Sequence, residues 1–265
     1  MTTLAELTLE LAKIIVPVQE SVASANGTTV TLIDTLYTRG DNYFKNGEVW
    51  FLSGVNAGKI ALCTGYVKST GTITFSPAVT ATVAGDRYAA VTGRYKFINL
   101  VKAINQIIGT LGKVRTENTD LITVDGQEEY DLPEGVRNLC KVEIAQNDVS
   151  PMAYYEHLRW DEVPSEFPVL RLASQYLPLG GYTMRLTYNA APVALVSYDD
   201  EISDYIPIER VIWPAAVAFI RALFQDLRVM PAVTVSLYNE AKMMETKVTA
   251  QPLPLAVRSP RLSSW

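Results

Sequence analysis

Pro207-Ile208-Glu209-Arg210-Val211-Ile212-Trp213-Pro214-Ala215-Ala216-Val217-Ala218-Phe219-Ile220-Arg221-Ala222-Leu223 is the stretch on which the fold turns. Ile208, Val211, Ile212, Ala215, Phe219, Ala222 and Leu223 recur at helical spacing and predict a wide apolar face on a helix over 207–226. Pro207 suits a first helical turn, and Pro214, which has no N–H to give, predicts a bend near Glu209–Arg210. So broad a stripe needs partners, because an isolated amphipathic helix is marginal in water.

Three further segments offer such partners. After Pro231, a helix to about Val248 carries Leu237, Ala241, Met244 and Val248 in register, and the short gap at 227–230 predicts an antiparallel hairpin with the helix before it. Residues 95–112 place Phe97, Val101, Ile104, Ile108 and Leu111 on one face, with Ile98 and Ile107 beside them and Gly112 as a C-cap. Residues 3–15 begin with the capping box Thr3/Glu6, carry Leu4, Leu7, Leu11 and Ile14 as a stripe, and end at Pro17. Four helices that cannot each stand alone predict one shared bundle.

Two stretches between them change period. Over 27–92, Thr, Val, Ile, Tyr and Phe dominate and glycine recurs, predicting strands at Thr29–Tyr37, Glu48–Gly54, Lys59–Lys68 and Thr72–Ser76 in a small antiparallel barrel or sandwich. Over 116–206, strands are predicted at Leu121–Val124, Glu129–Leu132, Cys140–Ala145, Val169–Ala173 and Tyr182–Tyr188. In the last of these Tyr182, Met184, Leu186 and Tyr188 share one face and Thr183, Arg185 and Thr187 the other. Pro151, Pro164 and Pro168 mark 147–168 as a long loop with at most a short helical turn at 154–160. The expected fold class is therefore α+β: a small bundle of about four helices (1–26, 93–115 and 207–248), two inserted antiparallel β-modules (27–92 and 116–206), and an extended C-terminal arm at 249–265.

Composition narrows the function. The chain has 265 residues, 48% of them apolar, enough to bury a real core. No apolar run is long enough to span a membrane, and the opening residues Met1–Glu6 read as no signal peptide. A net charge of −5 with interspersed signs argues against a dedicated nucleic-acid binder, which would carry a basic stripe. Cys63 and Cys140 sit far apart in apolar strand-like runs and read as small buried hydrophobes rather than a disulfide or metal pair.

Catalytic parts are scarce. His157 is the only histidine and has no nucleophile elbow to serve; Gly-x-Gly-x-x-Gly and P-loop motifs are missing. Asp199-Asp200-Glu201 with Asp204 is the best acidic cluster, yet it lacks the spacing of a calcium loop and reads as a solvated approach to the next helix. The expectation is a non-catalytic structural protein without cofactor or metal.

The arm carries the interaction signal. Pro252, Leu253, Pro254, Leu255, Val257, Arg258, Arg261, Leu262 and Trp265 combine apolar side chains, helix-breaking prolines and the arm's only charges. Such a segment can lie in a neighbour's groove without a core of its own. These residues are the expected partner-binding site.

An ordered set of pieces resembles a known pattern: Tyr130-Asp131-Leu132-Pro133-Glu134-Gly135-Val136, then Leu139–Ile144, Trp160, Leu170-Arg171-Leu172, Gly181–Tyr188, Pro192, and the helix entered through Ile202–Ile208. Over roughly residues 95–250 it resembles the head-to-tail adaptor (connector, neck) proteins of tailed bacteriophages. That resemblance implies a virion protein, assembled in the host cytoplasm, that forms a homo-oligomeric ring, usually of twelve copies. Such a ring joins the portal to the tail or neck and lines a channel through which double-stranded DNA passes without sequence recognition. It also implies a C-terminal segment that enters the portal ring. The 27–92 module departs from the minimal pattern. A second reading gives that module the function: a tail, baseplate or fibre-attachment protein with Tyr37, Tyr43, Phe44, Trp50 and Phe51 as a recognition surface, against core packing of the same aromatics.

Overall fold

The computed structural model describes residues 2–15, 18–93, 95–146, 153–164, 167–224, 232–253 and 255–256. In chain order its elements are β1 (Thr2–Thr3), α1 (Leu4–Ile15), β2 (Gln19–Val22), β3 (Thr31–Ile33), β4 (Glu48–Phe51), β5 (Ile60–Val67), β6 (Thr72–Ser76), β7 (Arg87–Val91) and α2 (Phe97–Ile108). There follow β8 (Val114–Asn118), β9 (Glu129–Asp131), β10 (Lys141–Gln146), β11 (Ala153–Glu156), β12 (Trp160–Val163), β13 (Val169–Leu172) and β14 (Met184–Ala190), then β15 (Glu201–Ile202), α3 (Glu209–Leu223) and α4 (Ala232–Thr249). They divide into two compact units: residues 1–108, 194–202 and 207–251, and residues 109–193, 203–206 and 252–265.

In the first unit, six strands in the order β2-β7-β4-β5-β6-β3 curl into a half-barrel, all neighbours antiparallel. The isolated bridge Ala25–Ile33 links the segment after β2 to the opposite edge strand, β3. Its interior is its own: Leu32, Phe44, Val49, Phe51, Tyr66, Phe75 and Tyr88 pack there beside Cys63 and Ile73. A buried carboxylate fastens the closure, for Asp34 accepts hydrogen bonds from Ser21 Oγ at 2.6 Å, Tyr88 OH at 2.8 Å and the Leu36 N–H at 3.0 Å. Close packing also dictates Gly47, where a Cβ would lie 1.8 Å from the Val91 carbonyl oxygen.

The helices lie in the same unit. The Thr3/Glu6 capping box forms, the Glu6 carboxylate accepting the Thr3 N–H at 3.0 Å and Thr3 Oγ1 accepting the Glu6 N–H at 3.2 Å. Leu4, Leu7, Leu11 and Ile15 are the buried stripe of α1, so the last buried position is Ile15 rather than Ile14. In α2 the buried face is Phe97, Leu100, Ala103, Ile104 and Ile108, with Ile98 left exposed. α1, α2 and α3 touch one another, and α4 lies on α3. Arg210 at the start of α3 donates to the Val248 carbonyl at the end of α4, and Arg221 Nε donates to Tyr238 OH at 2.9 Å, so the pair runs antiparallel. Pro214 sits inside α3 and offers no N–H to the Arg210 carbonyl.

Strand β4 joins half-barrel to helix. The Glu48 carboxylate accepts the Phe97 N–H at 2.6 Å and caps α2, and burial pushes its pKa above the ordinary value. Trp50, 1% exposed, meets the Phe97 ring at 5.3 Å and the Tyr198 ring at 5.0 Å. The Tyr198 segment is held in turn by Asn105 of α2, whose amide pairs with the N–H and C=O of Leu195, both at 2.8 Å.

The second unit is built from two sheets, β11-β10-β14-β8 and β12-β13-β9, both antiparallel. Tyr130, Trp160, Leu170 and Leu172 from the three-stranded sheet meet Val142, Met184, Leu186 and Tyr188 from the four-stranded one in a single core.

These observations correct the α+β bundle expected from the sequence. The chain is sheet-rich: four sheets of six, four, three and two strands accompany the four helices among the described residues. The half-barrel and the two-sheet unit each own a core, so neither is a module hung on a small helix bundle. The added strands come from segments whose pairing is set by tertiary contact rather than by alternation. Polar Gln19–Val22 pairs with β7, and Thr2–Thr3 pairs with Glu201–Ile202. The expected loop at 147–168 contains β11 and β12, which pair with β10 and β13, and in place of the helical turn expected at 154–160 stand the end of β11, a three-residue connection and the start of β12.

Candidate interaction site at the root of the C-terminal arm

Alternation along β14 sends Met184, Leu186 and Tyr188 into the core and leaves Arg185, Thr187 and Asn189 on the opposite face. The registers bring β10 and β8 alongside: Glu143 is opposite Arg185, Lys141 opposite Thr187, Glu117 opposite Thr187 and Arg115 opposite Asn189. The result is a polar sheet face, half-buried and ionically paired.

Its centre is Glu143, whose side chain is 5% exposed and pairs with Lys141 Nζ at 2.8 Å and with Arg185 Nη2 at 2.8 Å. Glu117 accepts from Arg115 at 2.8 Å and from Tyr205 OH at 2.5 Å. The guanidinium of Arg185 lies over the Tyr154 ring at 4.1 Å, and that of Arg115 over Tyr205 at 4.3 Å. Two groups remain unmatched: Thr187 Oγ1 and Arg115 Nε are buried without a hydrogen-bond partner. Burial pushes the Glu117 carboxyl up, but the Tyr205 hydroxyl, Arg115 and Arg185 outweigh it and hold its pKa below the ordinary value of 4.5.

A group held low in the fold adds stability above its unfolded pKa and loses it as pH falls through the folded value. Glu117 therefore supports this unit at neutral pH and stops doing so in acid. In Glu117→Gln the fall in thermal midpoint below pH 4.5 should be shallower than in the native chain; parallel pH profiles for the two proteins would refute the assignment.

The arm begins on this face. Asn189 Nδ2 donates to the Ala256 carbonyl at 3.1 Å, and the Ala256 N–H donates to Asn189 Oδ1 at 2.9 Å. One primary amide thereby copies the double bond that paired residues exchange between antiparallel strands. Asn189 Nδ2 also approaches Cys140 Sγ at 3.4 Å. Of the arm residues picked from sequence, Pro252 is exposed, Leu253 is half-buried and Leu255 is 55% exposed. Pro254, Val257, Arg258, Arg261, Leu262 and Trp265 lie outside the described residues. The expectation of an arm reaching away from its own chain thus does not hold at its root, where Ala256 is tied to Asn189.

Asn189 escapes sequence reasoning, because a lone asparagine at a strand end is an ordinary polar residue. Its spacing from Arg185 and Thr187 puts it on the polar face; nothing in sequence connects it with Ala256. Two other asparagines act alike, Asn105 on Leu195 and Asn56 on Thr80, the latter at 2.7 and 3.1 Å.

The other candidate groups are scattered. His157 Nε2 lies 3.1 Å from the Arg159 carbonyl, and burial pushes its pKa down. Asp200 accepts the N–H groups of Val196 and Ser197 at 2.6 and 2.8 Å, so that carboxylate caps a turn. No group of acidic, histidine or cysteine side chains able to hold a metal occurs among the described residues. Cys63 and Cys140 are both buried, and burial pushes the Cys63 thiol up to about 12. The aromatics considered as a recognition surface turn inward: Phe44, Trp50 and Phe51 are fully buried, and Tyr37 and Tyr43 pack against that core. No helix among the described residues is long and apolar enough to cross a membrane.

The site thus holds the backbone of Ala256 and leaves the neighbouring Leu255 side chain exposed. No family model matches the chain, and neither a curated protein nor a solved structure matches it.

Proposed function

We propose that this chain is a non-enzymatic virion protein of a tailed bacteriophage that forms a ring, usually of twelve copies, between the portal and the tail or neck. The ring lines the channel for double-stranded DNA, and the C-terminal arm reaches the portal or the neighbouring subunit. The observation that carries this reading is the arm's root. It is held by its backbone at Ala256 and carries Leu255 exposed, with Val257, Leu262 and Trp265 still to follow in the sequence. A segment of that composition gains from burial against a partner. The net charge of −5 suits a channel wall that lets DNA slide rather than gripping its phosphates. The reading of the 27–92 segment as a fibre- or tail-binding module loses its main observation, since the aromatics that would form its surface pack inside.

Mass measurement of the purified chain alone and mixed with purified portal tests the proposal. A complex holding one ring of this chain per portal is expected. A free monomer in isolation is compatible with a ring that forms only on the portal, whereas a chain that stays monomeric in the portal's presence contradicts the proposal.

A further inference from the structure

We propose that Asn189 is an exchangeable backbone clamp: in the assembled ring it holds Ala256 of a neighbouring copy in place of its own. The inference rests on the ring reading above and names the partner for the root of the arm.

Three features point to exchange. The clamp reads only the N–H and C=O of Ala256, so the arm of any copy satisfies it with the same two bonds. Among the described arm residues the hold beyond Ala256 is slight: Pro252 and Leu255 are exposed and Leu253 is half-buried. The connection is also built to redirect. α4 ends at Thr249, and the roughly seven residues from there to Ala256 span at most about 25 Å when extended. Pro252 and Pro254 keep that stretch from continuing the helix. A short proline-bearing connection leading to an element with an identical site on every copy is the arrangement from which segment exchange arises at little cost.

Concentration sets the direction. In a free monomer the arm's own clamp is always nearest. In a closed ring the adjacent clamp is presented at high effective concentration, and each exchange is repeated around the circle. Exchange then links every subunit to the next through bonds already present in the monomer.

The test uses full-length chains in which Cys140, which touches Asn189, is replaced by alanine. One population carries Ala191→Cys and the other Leu255→Cys, exposed positions beside Asn189 and Ala256 that leave the clamp's amide intact; they are mixed, assembled on the portal, and treated with a short bis-maleimide. Only a bond between two chains can join the introduced thiols. A denaturing-gel band at twice the chain mass, missing when either population is used alone, is the expected result. A chain carrying both substitutions should likewise give a ladder of multimers in the ring and a compact cross-linked monomer when unassembled. If rings form by mass and the double variant cross-links only within chains, exchange is overturned while the ring reading stands. If rings form and no cross-link appears, Ala256 is not at Asn189 in the assembly and the proposal fails. If no ring forms with the native chain, the ring reading itself falls and exchange with it.

Discussion

Replacing Trp50 by alanine should lower the unfolding free energy of the half-barrel and helix unit by about 3–5 kcal/mol, the range for emptying a buried aromatic site. Trp50 is 1% exposed and stands between Phe97 and Tyr198, at the junction of β4, α2 and the 194–202 segment. Its Nε1 has no hydrogen-bond partner, so the loss would come from packing alone. Trp50→Phe keeps a ring against both neighbours and should lose far less. Urea titration followed by far-ultraviolet circular dichroism measures both variants. Equal and small losses would show that the strand, the helix and the returning segment are not held together there.

Stopping the chain after Gln251 should leave a folded protein and abolish the joining of heads to tails. α4 ends at Thr249 and is untouched by that stop, and the only described bonds lost with the arm are the two between Asn189 and Ala256. Two neutral hydrogen bonds contribute about 1–3 kcal/mol together, too little to unfold a unit with its own ten-residue buried core. The functional loss should be complete, because the truncation takes away every apolar and basic residue that the arm could offer a partner. Electron microscopy of lysates from a phage carrying the truncated gene should show separate heads and tails. Normal joined particles would remove the arm from the account.

Helices were the legible part of this chain because their buried faces repeat at a fixed spacing. The Thr3/Glu6 box forms, and α3 buries Val211, Ile212, Ala215 and Phe219 of its expected stripe, though Ala222 is exposed and Ala216, Val217 and Ile220 are buried beside it. Strands β5 and β6 were legible for the same reason, with cores that alternate through Ala61, Cys63, Ile73 and Phe75. Sheets built by pairing alone were not. Gln19-Glu20-Ser21-Val22 has no apolar alternation and becomes a strand only because β7 offers it an edge. The prolines around 147–168 suggested a loop, yet Tyr154 and Trp160 lie in strands on either side of a short connection. The weight of β-structure, and with it the independence of the two cores, therefore exceeds what alternation along the chain reveals.

The arm shows the same division. Its composition was readable from Pro252, Leu253 and Leu255, since proline and exposed leucine carry meaning singly. Its anchor was not, because Asn189 and Ala256 are distant in sequence and meet through backbone atoms that carry no residue signature.

A symmetry-averaged reconstruction of the portal vertex in intact virions, with this chain located by its half-barrel, tests the central claim most directly. A closed ring of the chain between portal and tail is expected, its C-terminal segments lying on the portal or on neighbouring subunits. Finding the chain only in the baseplate or fibres, or not in the particle at all, would contradict it.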